Sequence, residues 1–128
     1  MKARKLIYNK LKEVIQADSS DDSIGLHHQI VPQGKSFPAI VYQLISKNTE
    51  YCQGATTRKL YRFQIDVYHK SDARASAIAE AIFKSLNLFI GNFEGENYQF
   101  TTSENESERY DHSLDLHIIS QDFIVRQN

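Results

Sequence analysis

The sequence predicts an α+β fold, with a mostly antiparallel sheet of about four to five strands and two helices packed on one face. Three observations predict it. Apolar and polar residues alternate from Arg58 to Tyr68, which indicates a strand with one buried face. An amphipathic helix follows at once and extends to Leu86. Another apolar stripe at helical spacing marks a first helix from Lys2 to Ala17.

The strand from Arg58 to Tyr68 is expected to be a principal strand of the sheet. At roughly 3.3 Å per residue it spans about 36 Å. A compact domain of this length has a radius of gyration near ~14 Å, so the strand would cross it from edge to edge. Its buried positions are predicted to be Tyr61, Phe63, Ile65 and Val67.

The helix after this strand has a start signal and one apolar face. Ser71 and Asp72 are suited to cap its first turn, and no Gly or Pro interrupts the segment that follows. Small residues on the same face would let the helix lie close to the sheet. The predicted buried face comprises Ala75, Ile78, Ala79, Ile82, Phe83 and Leu86.

The first helix carries a similar stripe, and a polar run ends it. The short acidic and hydroxyl residues from Asp18 to Asp22 favour a solvated loop over a helix interior. The apolar stripe of the helix comprises Leu6, Ile7, Leu11, Val14 and Ile15.

Two further strands are predicted between these elements. Ile24 to Val31 alternates, with Ile30 on its apolar face, and Pro32 confines it to an edge or end of the sheet. The segment of residues 39–47 is apolar on both faces, which indicates a strand covered on each side. The polar residues from Lys47 to Thr57 form a long connection, interpreted as an extended hairpin arm.

The C-terminal third predicts turns and two more strands. Gly91 and Gly95 mark turns, Tyr98 to Ser103 alternates weakly, and Glu104 to Arg109 is expected to be a charged turn. Tyr110 to Val125 then predicts a final long strand.

The apolar residues of that last strand change parity along its length. Leu114, Leu116 and Ile118 fall on one face, whereas Phe123 and Val125 fall on the other. A one-residue β-bulge near Ile119 and Ser120 would reconcile them.

The length of 128 residues predicts a single domain over residues 1–128. A net charge of −1 argues against binding to nucleic acid or to a membrane through electrostatics. No signal-peptide core and no apolar run of membrane-spanning length are present in the sequence. Cys52 is the only cysteine, so no intramolecular disulfide can form, and a cytoplasmic protein is the simplest interpretation.

No motif in the sequence points to catalysis, to a metal or to a cofactor. His27 and His28 are adjacent and would point to opposite faces of a strand. The other histidines have no partner at a recognised ligand spacing. Cys52 lies in a polar segment without a positioned base, and the glycines form no phosphate-binding loop. The prediction is therefore a protein that is not an enzyme.

The order and spacing of several structural motifs resemble the small tail-completion proteins of long-tailed phages and prophages, also called tail terminators or head–tail joining proteins. The matching features are a Pro-x-Gly turn at 32–34, Phe37-Pro38 entering a strand, and an alternating strand that ends in Asp-Val-Tyr at 66–68. The helical sequence Ile-Ala-Glu-Ala-Ile at 78–82 and a last strand at 122–125 complete the match.

The resemblance implies a structural subunit that assembles as a homo-oligomeric ring, commonly sixfold. Such a ring would cap the tail tube and form the interface with the filled head, with the tail tube protein and head-connector proteins as partners. It would assemble in the host cytoplasm and then be part of the virion tail. A ring requires one surface to meet a different surface on the next copy. The hairpin arm is expected to supply one of them, through Glu50, Tyr51, Gln53, Thr56 and Arg58.

A second expectation concerns the acidic cluster of Glu104, Glu106 and Glu108. Lining the ring's lumen, these carboxylates would repel passing DNA, and no specific nucleic-acid binding is expected.

Two alternatives remain open. One is a different virion or secretion-tube component. The other is a small cytoplasmic ligand-binding or hydrolase domain, which would require a deep pocket with converging polar groups.

Overall fold

The computed structural model describes residues 2–17, 24–33, 37–51, 57–100 and 105–127. The α+β class is confirmed, but within these residues the sheet has seven strands instead of the predicted four to five. The elements in chain order are α1 (Lys2–Ala17), β1 (Gly25–His28), β2 (Ala39–Tyr51), β3 (Thr57–His69), α2 (Asp72–Leu86), β4 (Ile90–Phe93), β5 (Glu96–Phe100), β6 (Asn105–Asp111) and β7 (Leu116–Gln127).

The strands form one curled sheet in the order β1-β2-β3-β7-β5-β4. The strand β6 pairs with one part of β7, from Leu116 to Asp122, and β5 pairs with another part, from Val125 to Gln127. The sheet is mixed, because β1 runs parallel to β2 while the other described pairings are antiparallel.

The principal role predicted for the strand around residues 58–68 is confirmed. β3 pairs with β2 from Thr57 to Tyr68 on one side and with β7 from Lys59 to His69 on the other. Its alternate residues Tyr61, Phe63, Ile65 and Val67 are buried in the core, as the period of two predicts.

Both helices contribute to the core on the same face of the sheet. Ser71 caps α2, and its Oγ accepts a hydrogen bond from the main-chain N–H of Arg74 at 3.3 Å. The predicted buried face of α2 is confirmed except at Phe83, which is 36% exposed because it lies at the margin of the face, towards β6. In α1, Leu6, Ile7 and Leu11 are buried, and Val14 and Ile15 pack against the core from its edge.

The bulge predicted near Ile119 and Ser120 is wrong. The register of β7 with β3 and β6 is continuous through these residues. The apolar parity changes because both faces of β7 are buried: Ile119 and Phe123 face the helices, whereas Ile118 lies on the opposite side of the curled sheet. The register shift that the structure does contain is in β2, between Leu44 and Ser46.

The charged turn predicted from Glu104 to Arg109 is also wrong over its described part, because residues 105–111 form β6. The turn comes later, at residues 112–115, so Leu114 is exposed in it and does not extend the last strand. There the Asp111 carboxylate accepts hydrogen bonds from the main-chain N–H groups of Ser113 and Leu114 and from the Ser113 hydroxyl.

The strand predicted from Ile24 to Val31 and the predicted hairpin arm differ in extent from what the structure shows. β1 ends at His28, because Gln29 adopts a positive φ of 70°, and Ile30 is therefore exposed instead of facing the core. The predicted hairpin arm is confirmed as a continuation of the sheet, since Tyr51 in β2 still pairs with Thr57 in β3. Asp18 to Asp22 lie outside the described residues.

The β4–β5 hairpin turns at Glu94 and Gly95, with φ values of 49° and 84°. Two consecutive positive φ values are typical of a two-residue hairpin turn that matches the twist of its strands. Gly95 thus marks a turn as predicted, whereas Gly91 lies within β4.

Candidate interaction surfaces

The first candidate surface is the end of the β2–β3 hairpin. Glu50 lies opposite Arg58, and Tyr51 lies opposite Thr57, so three of the five predicted interface residues are brought together here. The other two, Gln53 and Thr56, lie outside the described residues. The side chains from Ile45 to Glu50 are exposed.

This hairpin end is basic. Between residues 45 and 62 the sequence has four basic side chains and one acidic side chain, Glu50. The basic side chains are Lys47, Arg58, Lys59 and Arg62. The chain as a whole has a net charge of −1, so the hairpin end differs in sign from the rest of the molecule.

The second candidate surface is a groove of about 540 Å³ between α2 and β6. In β6, Glu106 pairs with Gln121 and Glu108 pairs with Ile119, a residue of the helix-facing core. Both carboxylates therefore stand on the side of the sheet that faces α2. The groove is lined by Ser76, Ala79, Glu80, Phe83, Asn105, Glu106, Glu108 and Ile119. Glu104, the remaining member of the predicted acidic cluster, lies outside the described residues.

The side chain of Gln121 joins the two walls of this groove. Its Nε2 donates to the main-chain carbonyl of Ala79 in α2 at 3.0 Å and to Oε1 of Glu106 in β6 at 2.8 Å. Gln121 is only 1% exposed, and its Oε1 has no hydrogen-bond partner among the described residues. A buried acceptor without a partner carries a cost in free energy.

A cleft of about 470 Å³ between the two helices bears on the ligand-binding alternative. It is largely apolar, with Val14, Ile15 and Ile78 among its lining residues. Its charged lining residues are Glu13 and Arg74, and its described lining contains neither His nor Cys. This described lining therefore has no histidine or cysteine for the nucleophile–base pair that many hydrolases use.

The histidines do not form a metal site within the described ranges, where no group of three or more His, Cys, Asp or Glu side chains could hold an ion. His69 instead accepts a hydrogen bond at Nδ1 from the main-chain N–H of Ser71, next to the cap of α2. Cys52 lies outside those ranges. No described helix has the length and apolar character needed to cross a membrane.

Sequence reasoning missed a cluster around Tyr110 at the β6–β7 turn. The ring centroids of His112 and His117 lie 4.8 Å and 5.0 Å from that of Tyr110. The hydroxyl of Tyr110 donates to Asp115, and this hydrogen bond raises the pKa of Tyr110. The sequence feature that could have revealed this cluster is the short, mostly polar segment 111–115. Such a segment suits a turn, and a turn there brings His112 and His117 to the same tyrosine.

Comparison with known structures reproduces the fold. One solved structure, the virion of a native gene transfer agent particle, contains a chain that is 16% identical with a TM-score of 0.63; the match covers 91% of this chain and 90% of that one. A second solved protein structure is 12% identical with a TM-score of 0.67; the match covers 98% of this chain and 93% of that one. No curated protein sequence matches significantly.

The sequence also matches a family of phage structural proteins, described as Tail completion protein gp17, over residues 11–127. That range contains α2, the whole sheet and the last two turns of α1. The resemblance noted from the motifs of residues 32–38, 66–68 and 78–82 is therefore confirmed. The chain belongs to the tail completion protein gp17 family.

Proposed function

We propose that this protein is the ring-forming subunit that completes a phage or prophage tail. In this proposal the ring, with six copies as the expected number, caps the tail tube and supplies the surface to which the head attaches. The single observation that carries the proposal is the family match over residues 11–127. The similarity in fold to a chain in a gene transfer agent virion supports a role in a particle.

The proposed partners are further copies of the chain, the tail tube protein and head-connector proteins. The protein would be made in the host cytoplasm and would then become part of the virion tail. Each subunit would offer the hairpin end, with Glu50, Tyr51, Gln53, Thr56 and Arg58, to a neighbour. The exposed strand residues and concentrated charge of this hairpin end support that assignment.

A catalytic role is not part of the proposal. Among the described residues, neither the cleft between the helices nor the groove between α2 and β6 is lined by His or Cys. The acidic residues Glu104, Glu106 and Glu108 are retained as a proposed lumen rim that repels DNA. The position of Glu106 and Glu108 beside α2 also suits an alternative role, contact with a neighbouring copy.

Light scattering after size exclusion, over a wide range of protein concentrations, tests the proposed ring. A closed oligomer with ring-shaped particles in negative-stain micrographs is the expected result. If the chain is monomeric at every concentration, the same measurement is repeated after mixing with tail tubes from the same phage or prophage. Absence of oligomers in both experiments would contradict the proposal.

A further inference from the structure

Two surfaces of this chain carry opposite charge. The hairpin end bears Lys47, Arg58, Lys59 and Arg62 against Glu50. The groove between α2 and β6, called here the acidic groove, carries the carboxylates of Glu80, Glu106 and Glu108 on its walls. Complementary charge on two surfaces favours their association and fixes its orientation.

The two surfaces cannot meet within one chain. Gln121, which joins the groove walls, pairs with Ile65 of β3, and Arg58 lies seven residues further along that strand. At about 3.3 Å per residue the separation is roughly 23 Å along the sheet. β3 is held in a continuous ladder by β7 from Lys59 to His69, so its end cannot fold back onto the groove. A contact between them requires two copies.

The chemistry of the groove suits an arginine. A guanidinium has five N–H donors in one plane and pairs with carboxylates through two parallel hydrogen bonds. The acidic groove offers the carboxylates of Glu80, Glu106 and Glu108 on its walls. Phe83, 36% exposed on the α2 wall, adds an apolar surface that an incoming strand would cover.

We propose that the acidic groove receives the basic hairpin end of a neighbouring copy, with Arg58 and Lys59, on opposite faces of β3, as the cations that contact its two walls. The inference rests on the proposed ring. It identifies the acidic groove as the surface that meets the hairpin end of the next copy. A hairpin end that docks into a groove on a different part of the next subunit is a heterologous contact, and repetition of such a contact closes a ring when the rotation permits.

Charge reversal of each surface provides the test. One variant carries Arg58→Glu and Lys59→Glu, and the other carries Glu80→Lys and Glu108→Lys. All four side chains are at least partly exposed, so both variants are expected to fold, which circular dichroism verifies. Matched controls reverse the same number of charges elsewhere on the surface. They are Lys12→Glu with Lys70→Glu, and Glu13→Lys with Glu94→Lys.

Each variant alone is expected to lose self-association, with the concentration for half-assembly raised at least about tenfold, which corresponds to about 1.4 kcal/mol per contact. An equimolar mixture of the two variants is expected to regain it. In the mixture each reversed hairpin end meets a reversed groove, and each native hairpin end meets a native groove. The controls are expected to assemble as the wild type does.

A carbodiimide, which joins lysine amines to carboxylates in direct contact, provides a second readout. In a mixture of ¹⁴N- and ¹⁵N-labelled wild-type chains, in solution and on tail tubes, mixed-isotope links from Lys59 to Glu80, Glu106 or Glu108 are expected. Absence of these links in both settings overturns the inference.

The outcomes separate this inference from the proposed function. If the groove-reversed variant assembles like the wild type, the inference is wrong while the ring stands, and a defect confined to DNA passage would then favour the lumen rim. If the mixture of variants fails to assemble although each is folded, the inference is likewise overturned. If no chain forms oligomers with or without tail tubes, the proposed function fails as well.

Discussion

The side-chain amide of Gln121 in β7 donates a hydrogen bond to the main-chain carbonyl of Ala79 in α2, at 3.0 Å. The same nitrogen donates to Glu106 in β6, at 2.8 Å. One buried side chain thereby connects the helix, the central strand and the strand outside it. This connection ties together α2 and β6, the two walls of the groove that carry Glu80 and Glu108.

The variant Gln121→Glu tests that connection with almost no change in side-chain volume. It places a carboxylate against the Ala79 carbonyl and the Glu106 carboxylate, so we expect a loss of about 3 kcal/mol at neutral pH. Burial and the neighbouring carboxylate would raise the pKa of the introduced group, so the loss should lessen as the pH falls.

Urea unfolding at several pH values measures this effect. The control is Gln99→Glu, at a partly exposed position in β5, which we expect to cost much less. Equal losses in the two variants, or a loss in Gln121→Glu that does not change with pH, would contradict the role assigned to Gln121.

Ile82→Asp tests the core beneath α2. Ile82 is 0% exposed, so the aspartate would be buried without a partner, and we expect that the protein does not fold. Ile90→Asp makes the same chemical change at a residue that is 74% exposed, and we expect it to stay folded. Circular dichroism and the cooperativity of thermal unfolding distinguish them. A soluble, cooperatively unfolding Ile82→Asp protein would show that the assigned helix face is wrong.

Tyr98→Phe tests a buried hydroxyl that lacks a hydrogen-bond partner among the described residues. Removal of this group should leave stability at neutral pH unchanged or raise it by about 1 kcal/mol.

Tyr98 also predicts a dependence on alkaline pH. Burial, with smaller contributions from Tyr61 and nearby glutamates, raises the pKa of Tyr98 from 10.0 to about 12. The unfolded chain therefore loses its tyrosine proton first, and stability falls as the pH rises through the window from 10 to about 12. Chemical unfolding in this window should show a shallower decline for Tyr98→Phe than for the wild type. Parallel declines would contradict the assignment.

Ser71→Ala tests the cap of α2. Loss of the hydrogen bond from the Arg74 N–H to Ser71 Oγ should cost about 0.5–2 kcal/mol. Ser76→Ala, at an exposed position inside the same helix, should be neutral or slightly stabilising, because alanine has the higher helix propensity. Thermal unfolding of the two variants gives the direction of each change in stability. A destabilised Ser76→Ala with an unaffected Ser71→Ala would refute the cap.

Where burial on one face is strong, the sequence was sufficient to predict the element. The alternation at Phe63, Ile65 and Val67 identified β3, and the spacing of Ile78, Ile82 and Leu86 identified the buried face of α2. In both segments the burial of apolar side chains repeats with the period of the backbone, which makes it readable along the chain.

The wrong predictions fall on strands in which burial does not follow one face. β6 is exposed along almost its whole length, so it carries no apolar alternation and its charges favoured a turn. β7 is buried on both faces, so Ile118 and Phe123 gave conflicting parity that was interpreted as a bulge. β1 has four partly buried residues, and nothing in so short a segment specifies a parallel partner.

The candidate surfaces were partly predictable. Sequence located the hairpin end from its length and polarity, including Glu50 and Arg58. It placed Glu106 and Glu108 together but could not place them opposite α2, because that depends on how β6 pairs with β7. The bridging role of Gln121 depends on contacts with residues 42 and 15 positions away, which no local pattern records.

The most direct test of the tail-completion role is electron microscopy of tail tubes from the same phage or prophage, incubated with this protein carrying a gold label. We predict label at one end of each tube, as a ring coaxial with the tube, and none along its sides. Heat-unfolded protein at the same concentration serves as the control for nonspecific adhesion. Folded protein that leaves the tube ends bare at saturating concentration, or that decorates the sides evenly, would contradict the account.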